Sequence, residues 1–377
     1  MNIGIDIRSL LLKERSGVGE YTYQILDALF RIDQKNNYFL FYNSWKGVGD
    51  FLPAEWKKFE NVHFCGFHWP NKLLNFCFKF LGWPKIDKMV FPEGKIDLFF
   101  IPNLNFISLS HSVKKIITVH DLSFERFPKF FSWKRRLWHW FVNPKKLIRG
   151  ADQVIAVSEN TARDLAELYD VSRDKMKIIY SGVNSGSGVS DVEAVKKKYN
   201  LPENFILFLG TLEPRKNIGG LIRAFEILKT ENRGDHKLVI VGPQGWLYKK
   251  ILARAEESPV RDDIKFINYI APEEKFVFYK LAKLFVYPSF YEGFGFPPLE
   301  AARVGTPVIV STNSSLPEVM GVAALMVDPS NPAEMAKVME QCLSDENLRV
   351  TLIEKGKAQA EKFNWQKCAE EVLTVLG

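Results

Sequence analysis

Long apolar runs are missing from this chain of 377 residues: none approaches the ~20 residues that a membrane-spanning helix needs. Cysteine is scarce. The four present (Cys65, Cys77, Cys342 and Cys368) form no Cys-x-x-Cys pair and sit among apolar neighbours, which argues for buried, reduced thiols rather than a disulfide framework. Asp-x-Asp occurs nowhere, so the chain lacks the carboxylate pair that would bridge a metal to a diphosphate. His63, Cys65 and His68 come nearest to a ligand cluster, but strand alternation puts only His63 and Cys65 on one face and supplies no fourth ligand. Neither a metal nor a cofactor is expected. The opening Met1-Asn2-Ile3-Gly4-Ile5-Asp6-Ile7-Arg8 reads as a strand and lacks the apolar region of a signal peptide, so a cytoplasmic location is expected. Neither sign of charge dominates. The net charge of +7, from 51 Lys and Arg against 44 Asp and Glu, suits an anionic small substrate, a lipid surface or nucleic acid without choosing among them. Nucleic acid is set aside, because neither a recognition module nor a sheet face of interleaved aromatics is visible.

What is present is an ordinary globular composition, 46% apolar and 25% charged, in a chain longer than one hydrophobic core usually organises. Short apolar runs alternate with helical patterns throughout, the mark of parallel sheets covered on both faces. Strands are predicted at 2–7, 38–42, 62–67, 98–101, 116–120, 154–157 and 177–180 in the first half. The second half offers 205–209, 237–241, 264–267, 284–287, 307–310 and 324–327. Between the halves, Ser181-Gly182-Val183-Asn184-Ser185-Gly186-Ser187-Gly188 is the richest Gly and Ser stretch and the natural hinge. The predicted fold is therefore α/β, two Rossmann-like domains facing a cleft. The first spans 1–184 and the second 185–362, and the last 15 residues, 363–377, form a separate helix.

The most informative run is Tyr291-Glu292-Gly293-Phe294-Gly295-Phe296-Pro297-Pro298-Leu299-Glu300. A strand enters it, and a proline pair signals a helix starting near Pro298, which would place Glu300 in the first turn and Glu292 on the loop above. Free amides at a helix start suit phosphate and carboxylates suit sugar hydroxyls, a pairing that fits a nucleotide sugar. The bland alternative is a surface acid and a helix-dipole acid; a hydrolase with two working carboxylates is another. Gly210-Thr211-Leu212-Glu213-Pro214-Arg215-Lys216-Asn217 follows another strand, before a helix expected near Gly219. Arg215 and Lys216 there are either solvated turn charges or a fork and a point charge for a diphosphate. Gly17-Val18-Gly19, expected in a loop before a helix near Glu20, allows close backbone approach to a ligand, although a lone Gly-x-Gly equally marks a tight turn. His120, beside Asp121 at a strand end, is either a satisfied core imidazole or a polar contact in the site.

Two aromatic-basic segments remain. In 71–81, Leu73, Phe76, Cys77 and Phe80 share a helical stripe; 130–141 carries Trp133, Trp138 and Trp140 among Lys134, Arg135 and Arg136, with Lys145, Lys146 and Arg149 following. They fit either packing on the first domain's sheet, the favoured expectation, or peripheral contact with a membrane surface.

These motifs resemble the retaining glycosyltransferases of family four, which have the GT-B fold, and among them bacterial mannosyltransferases of polysaccharide biosynthesis. The likeness runs from Gly4 to about Asp328 and is carried by 291–301, Gly305-Thr306-Pro307-Val308-Ile309, Ser315-Leu316-Pro317-Glu318-Val319, Val154-Ile155-Ala156-Val157-Ser158, 210–217 and His120-Asp121-Leu122. The resemblance implies that Glu300 holds the ribose hydroxyls, that Glu292 lies near the donor sugar, and that Gly293, Phe294, Gly295, Phe296 and Leu299 line the donor. It makes Lys216 a phosphate-binding lysine. Gly210 and Thr211 also face the donor, although the family often has Arg where Thr211 stands, so Arg215 would replace that contact. His120, Gly17 and Gly19 would meet the donor sugar and its diphosphate from the first domain, and the C-terminal helix would cross back onto that domain. The implied catalytic set is Glu292, His120, Lys216 and Arg215. The implied partners are a nucleotide-sugar donor, with GDP-mannose preferred over UDP- or dTDP-sugars, and a glycan or lipid-linked glycan acceptor.

Overall fold

The computed structural model describes residues 1–11, 17–45, 52–184, 186, 191–231 and 234–377. Among the described residues, thirteen strands form where the apolar runs predict them, their ends shifted by no more than two residues. In chain order they are β1 (Asn2–Asp6), β2 (Asn37–Asn43), β3 (Val62–Phe67), β4 (Leu98–Ile101), β5 (Lys114–Val119), β6 (Gln153–Ala156), β7 (Met176–Ile178), β8 (Phe205–Leu209), β9 (Lys237–Val241), β10 (Ile264–Ile267), β11 (Leu284–Tyr287), β12 (Val308–Ser311) and β13 (Leu325–Val327). Leu98–Ile101 and Leu284–Tyr287 are buried at every position, as strands covered on both faces must be.

Two sheets result. The first has seven strands in the order β3-β2-β1-β4-β5-β6-β7 and the second has six in the order β10-β9-β8-β11-β12-β13. All pairings are parallel, for example β1 with β2 from Asn2 opposite Asn37 to Asp6 opposite Phe41. Each order reverses once, between β1 and β4 and between β8 and β11. Crossover helices leave to opposite sides at such a reversal and open a crevice at the carboxyl ends of the two strands, where ligands of doubly wound sheets bind. The residues following β8 and β11 are those of the two motifs that the sequence singles out. Two doubly wound parallel sheets of this kind are what the resemblance to the GT-B fold implies.

The chain forms two compact units. One comprises Met1–Glu125, Trp133–Gly182 and Asn364–Gly377, so the final helix, Trp365–Leu376, belongs with the first sheet although it follows the second in sequence. Within that unit it lies on the helix Gly17–Ile32, with the Trp365 and Tyr21 rings 5.9 Å apart, edge to face. A Cβ on Gly182 would stand 2.4 Å from the Trp365 backbone nitrogen, so only glycine lets the chain pass there. The other unit comprises Val183–Phe363 together with Arg126–Ser132, a segment that chain order alone would assign to the first half. Its aromatics explain the assignment: Phe130 stacks on Phe290, Phe131 on Trp246, and the Trp246 indole donates to the Phe130 carbonyl. Of the Gly-Ser hinge, Ser185, Ser187 and Gly188 lie outside the described residues.

The aromatic-basic segments depart from the favoured expectation. In 71–81 the inward face is Leu74, Cys77 and Phe78, one position off the expected stripe; of that stripe only Cys77 is buried, while Leu73, Phe76 and Phe80 are exposed. Leu74, Cys77 and Phe78 keep the i, i+3, i+4 spacing of a helix, so the spacing is right and the face is not; the backbone widens to a π-turn only from Cys77 to Leu81. Cys77, Cys342 and Cys368 are buried free thiols and Cys65 is half-buried; burial pushes Cys65 up to about 11 and Cys342 and Cys368 up to about 12. Among the described residues, no helix is long and apolar enough to cross a membrane.

Candidate active site

The second sheet's reversal assembles a buried ionic cluster. A 3-10 turn, Pro214–Lys216, follows β8, and the loop after β11 delivers Glu292. Lys216 Nζ donates to Glu292 Oε1 at 2.7 Å and Arg215 Nη1 to Glu292 Oε2 at 2.9 Å, so one carboxylate binds both cations. Arg215 also donates to Glu213 Oε1 at 2.7 Å and to the Tyr291 carbonyl at 2.6 Å, and Lys216 reaches the Tyr287 hydroxyl at 2.6 Å. The backbones are tied as well: Phe290 N donates to the Arg215 carbonyl, Glu292 N donates to Ser314 Oγ, and Ser315 Oγ lies 3.0 and 2.8 Å from the Glu292 and Phe294 carbonyls. Two motifs far apart in sequence thus form one rigid element.

Arg215 and Lys216 are therefore not bare turn charges: Glu213 and Glu292 balance them in a site where Lys216, Glu213 and Glu292 are all buried. Burial alone would raise the Glu292 carboxyl, but Arg215 and Lys216 outweigh it and hold the group down at about 2. Lys216 loses more to burial than Glu292 returns, and Arg215 repels its ammonium, so its pKa lies below the ordinary lysine value. Lysine has three N–H donors. Tyr287 and Glu292 take two, which leaves one.

The helix after the glutamate loop is Phe296–Arg303, two residues earlier than its prolines suggest. Gly295, at φ +111°, takes the cap and turns the chain, and a Cβ there would also press on Leu316 at 2.7 Å. Pro297 and Pro298 then occupy the second and third helical positions, so of the amides at the helix start only Gly295 and Phe296 carry an N–H. Glu300 consequently lies beyond the first turn, where the amides do not reach it. Its Oε1 accepts from Lys275 Nζ at 2.6 Å and its Oε2 from the Tyr279 hydroxyl at 3.0 Å. The Phe294 and Leu299 side chains are buried, which leaves backbone as what they can offer a ligand. Gly293 continues the glutamate loop. Gly210 and Thr211 follow β8, where the tightest approach is made from the other side: a Cβ on Gly242, at φ +149°, would sit 2.1 Å from the Gly210 carbonyl oxygen.

In the first unit, His120 follows β5, and its Nε2 lies 2.9 Å from the Pro102 carbonyl just past β4. A carbonyl only accepts, so Nε2 carries the proton and Nδ1 is the acceptor. Burial lowers the His120 pKa, which keeps the ring neutral at pH 7. Tyr21 meets the ring edge to face at 4.7 Å. Asp121 accepts from Ser123 N and Oγ at 2.9 and 2.6 Å, a local turn. Gly17 and Gly19 belong to the first turn of the helix Gly17–Ile32, which starts three residues before the expected Glu20. Gly17 is exposed, with nothing within 4 Å of a Cβ placed there.

Sequence reasoning missed Glu213, Tyr287, Lys275 and Tyr279 as members of these clusters. The spacing of Lys275 and Tyr279, four apart on the helix Lys275–Leu281, was the one available signal that both present a single face.

Glu292 makes stability acid-sensitive. A carboxyl held near 2 against an ordinary 4.5 favours the folded state fully above pH 4.5, and that contribution fades as pH falls from 4.5 towards 2. The urea midpoint of the native chain is expected to drop across that window, and Glu292→Gln to show a shallower drop there. Parallel curves would place the acid sensitivity elsewhere.

Comparison with known proteins adds a family. The model described as "Glycosyl transferases group 1" matches residues 191–359, and the one described as "Glycosyltransferase Family 4" matches 15–186. O-antigen chain mannosyltransferase B of Escherichia coli is 32% identical over 270 residues, covering 70% of this chain and 71% of that protein. The serotype-specific mannosyltransferase WbdA of Escherichia coli is 35% identical over 239 residues, 61% of this chain but only 29% of that longer protein. Among solved structures, sucrose-phosphate synthase from Thermosynechococcus elongatus superimposes with a TM-score of 0.75 at 20% identity, over 100% of this chain and 98% of that one.

Proposed function

The chain belongs to the family-four glycosyltransferases, and from that premise we propose that it moves a hexose, mannose from GDP-mannose, to a hydroxyl of a glycan or lipid-linked glycan acceptor in cell-surface polysaccharide synthesis. The observation that carries this reading is the ionised Glu292, gripped by Lys216 and Arg215 at the reversal of the second sheet, with Glu300 on the helix that follows. Mannose is preferred because the relatives at 32% and 35% identity are mannosyltransferases.

In the proposed reaction the bond from the anomeric carbon to the diphosphate oxygen breaks, and the acceptor oxygen bonds to that carbon from the same face. The acceptor hydroxyl's proton passes to the departing diphosphate. Charge grows on phosphate oxygens as the bond breaks, and Arg215, the third N–H of Lys216 and the Gly295 and Phe296 amides are the proposed stabilisers. Glu300 holds the ribose hydroxyls, its carboxylate aimed by Lys275 and Tyr279. Glu292 orients the two cations and meets the sugar, and Gly210, Thr211, Gly293 and the Phe294 and Leu299 backbones complete the donor contacts. From the first unit, Gly17 and Gly19 offer backbone and His120 offers Nδ1 as an acceptor for a sugar hydroxyl. The lack of Asp-x-Asp supports metal-independent transfer, for which chelator leaves turnover unchanged.

A thermal-shift series against GDP-, UDP-, dTDP- and ADP-sugars tests the donor, since a ligand at 100 times its Kd adds about 2.7 kcal/mol to native stability. GDP-mannose is expected to give the largest shift. A larger shift with a UDP- or dTDP-sugar would move the assignment to that donor, and full turnover of donor without acceptor would make the protein a hydrolase or epimerase. The anomeric configuration of the product, read by NMR, is expected to match that of the donor; inversion would overturn the same-face mechanism.

A further inference from the structure

The first unit exposes more aromatic surface than a water-facing protein usually tolerates. Leu73, Phe76, Phe80, Leu81 and Trp83 point outward from 71–83, with Phe80 at 57% and Leu81 at 64% of full exposure. Trp133, Leu137, Trp138 and Trp140 point outward from the helix Trp133–Val142, with Trp133 at 68% and Trp140 at 72%. Trp133, Leu137 and Trp140 follow the four-then-three spacing of a single helical stripe.

Both groups contact one connecting segment. Ser108 Oγ donates to the Gly82 carbonyl at 2.7 Å, and the Phe106 ring meets Trp138 edge to face at 6.3 Å. Residues 102–109, which carry both contacts, begin just past β4, and Pro102 at their start holds His120. Both apolar groups therefore touch the segment that leaves the rim holding His120.

Charge identifies the occupant. No acidic residue occurs from Asn71 to Ile86 or from Phe127 to Ala151. The first run contains Lys72, Lys79 and Lys85, and the second contains Lys134, Arg135, Arg136, Lys145, Lys146 and Arg149 in and after the tryptophan helix. Asp170 pairs with Lys145 and Arg149 at 3.7 and 3.9 Å, so the cations beside the stripes themselves are Lys72, Lys79, Lys134, Arg135 and Arg136. Two short stripes of Trp, Phe and Leu carrying those cations are complementary to an interface whose headgroups are anionic and whose interior is apolar. We propose that this face docks on the surface of an anionic lipid bilayer, with Phe76, Phe80, Leu81, Trp133 and Trp140 entering the headgroup-acyl boundary and the lysines and arginines meeting the phosphates. The binding itself does not depend on which sugar or acceptor the protein uses.

The test is co-sedimentation of the full-length chain with vesicles of phosphatidylcholine alone and of phosphatidylcholine with phosphatidylglycerol, at low and high salt. Binding is expected to the anionic vesicles only and to weaken with salt. F76S/F80S and W133S/W140S, which alter exposed side chains and should leave the thermal unfolding midpoint in place, are each expected to lower the partition coefficient about tenfold or more. Lys134→Glu with Arg136→Glu should flatten the salt dependence. No binding to anionic vesicles, or binding that all three variants retain, would overturn the proposal. So would a dimer, seen by light scattering, that the same serine variants disperse without any vesicle binding.

Discussion

Lys216→Ala is expected to lower kcat about 10²- to 10³-fold, roughly 3–4 kcal/mol of transition-state stabilisation, the usual cost of removing one preorganised donor to a developing oxyanion. The ammonium is buried and already fixed by Tyr287 and Glu292, so it pays no reorganisation cost when phosphate charge appears. KM for the donor should change less, because Arg215 and Glu300 remain. The fold should survive, since Arg215 still pairs with Glu292 at 2.9 Å. Steady-state kinetics with the donor that gives the largest thermal shift provides the measurement. An unchanged kcat would remove Lys216 from the chemistry and leave it a structural counter-ion.

Glu292→Ala should do more damage to the fold. It strips the carboxylate from two cations at once; Arg215 keeps Glu213, but Lys216 keeps only the Tyr287 hydroxyl. Breaking a buried pair on one side costs about 3–5 kcal/mol, because the remaining charge is desolvated and uncompensated. Urea unfolding at pH 7 would show the loss. Adding Lys216→Met to Glu292→Ala should recover part of it, since the orphaned ammonium goes too. If the double variant were less stable than Glu292→Ala, cavity formation rather than unpaired charge would be the cause.

Much of the fold was legible because its strands are short, continuous apolar runs bounded by turn residues, a pattern that few other structures produce. Phe205–Leu209 and Leu284–Tyr287 could be read residue for residue. Helix starts were less legible. The proline pair suggested Pro298, yet Gly295 sets the start by adopting a backbone conformation that the neighbouring residues do not share. The stripe at 71–81 was misphased for another reason: periodicity says which residues share a face, not which face turns to the core, and in a segment apolar on several sides packing chose Leu74, Cys77 and Phe78.

Glu292, Glu300, Arg215 and Lys216 could be picked out individually, because each follows a strand and belongs to a dense local motif. Their mutual geometry could not. Arg215 bonds to groups 2, 76 and 77 residues away, and Lys275 reaches Glu300 across 25. Local spacing carries information over one or two turns of chain, whereas sheet order brings β8 beside β11 with two strands between them in sequence. Residue chemistry and hydrophobic period thus determined the strands, the two sheets and the candidate charges. Only the folded packing decided that those charges are buried and mutually neutralised, and that the aromatic stripes face outward, because both outcomes depend on which distant surfaces meet.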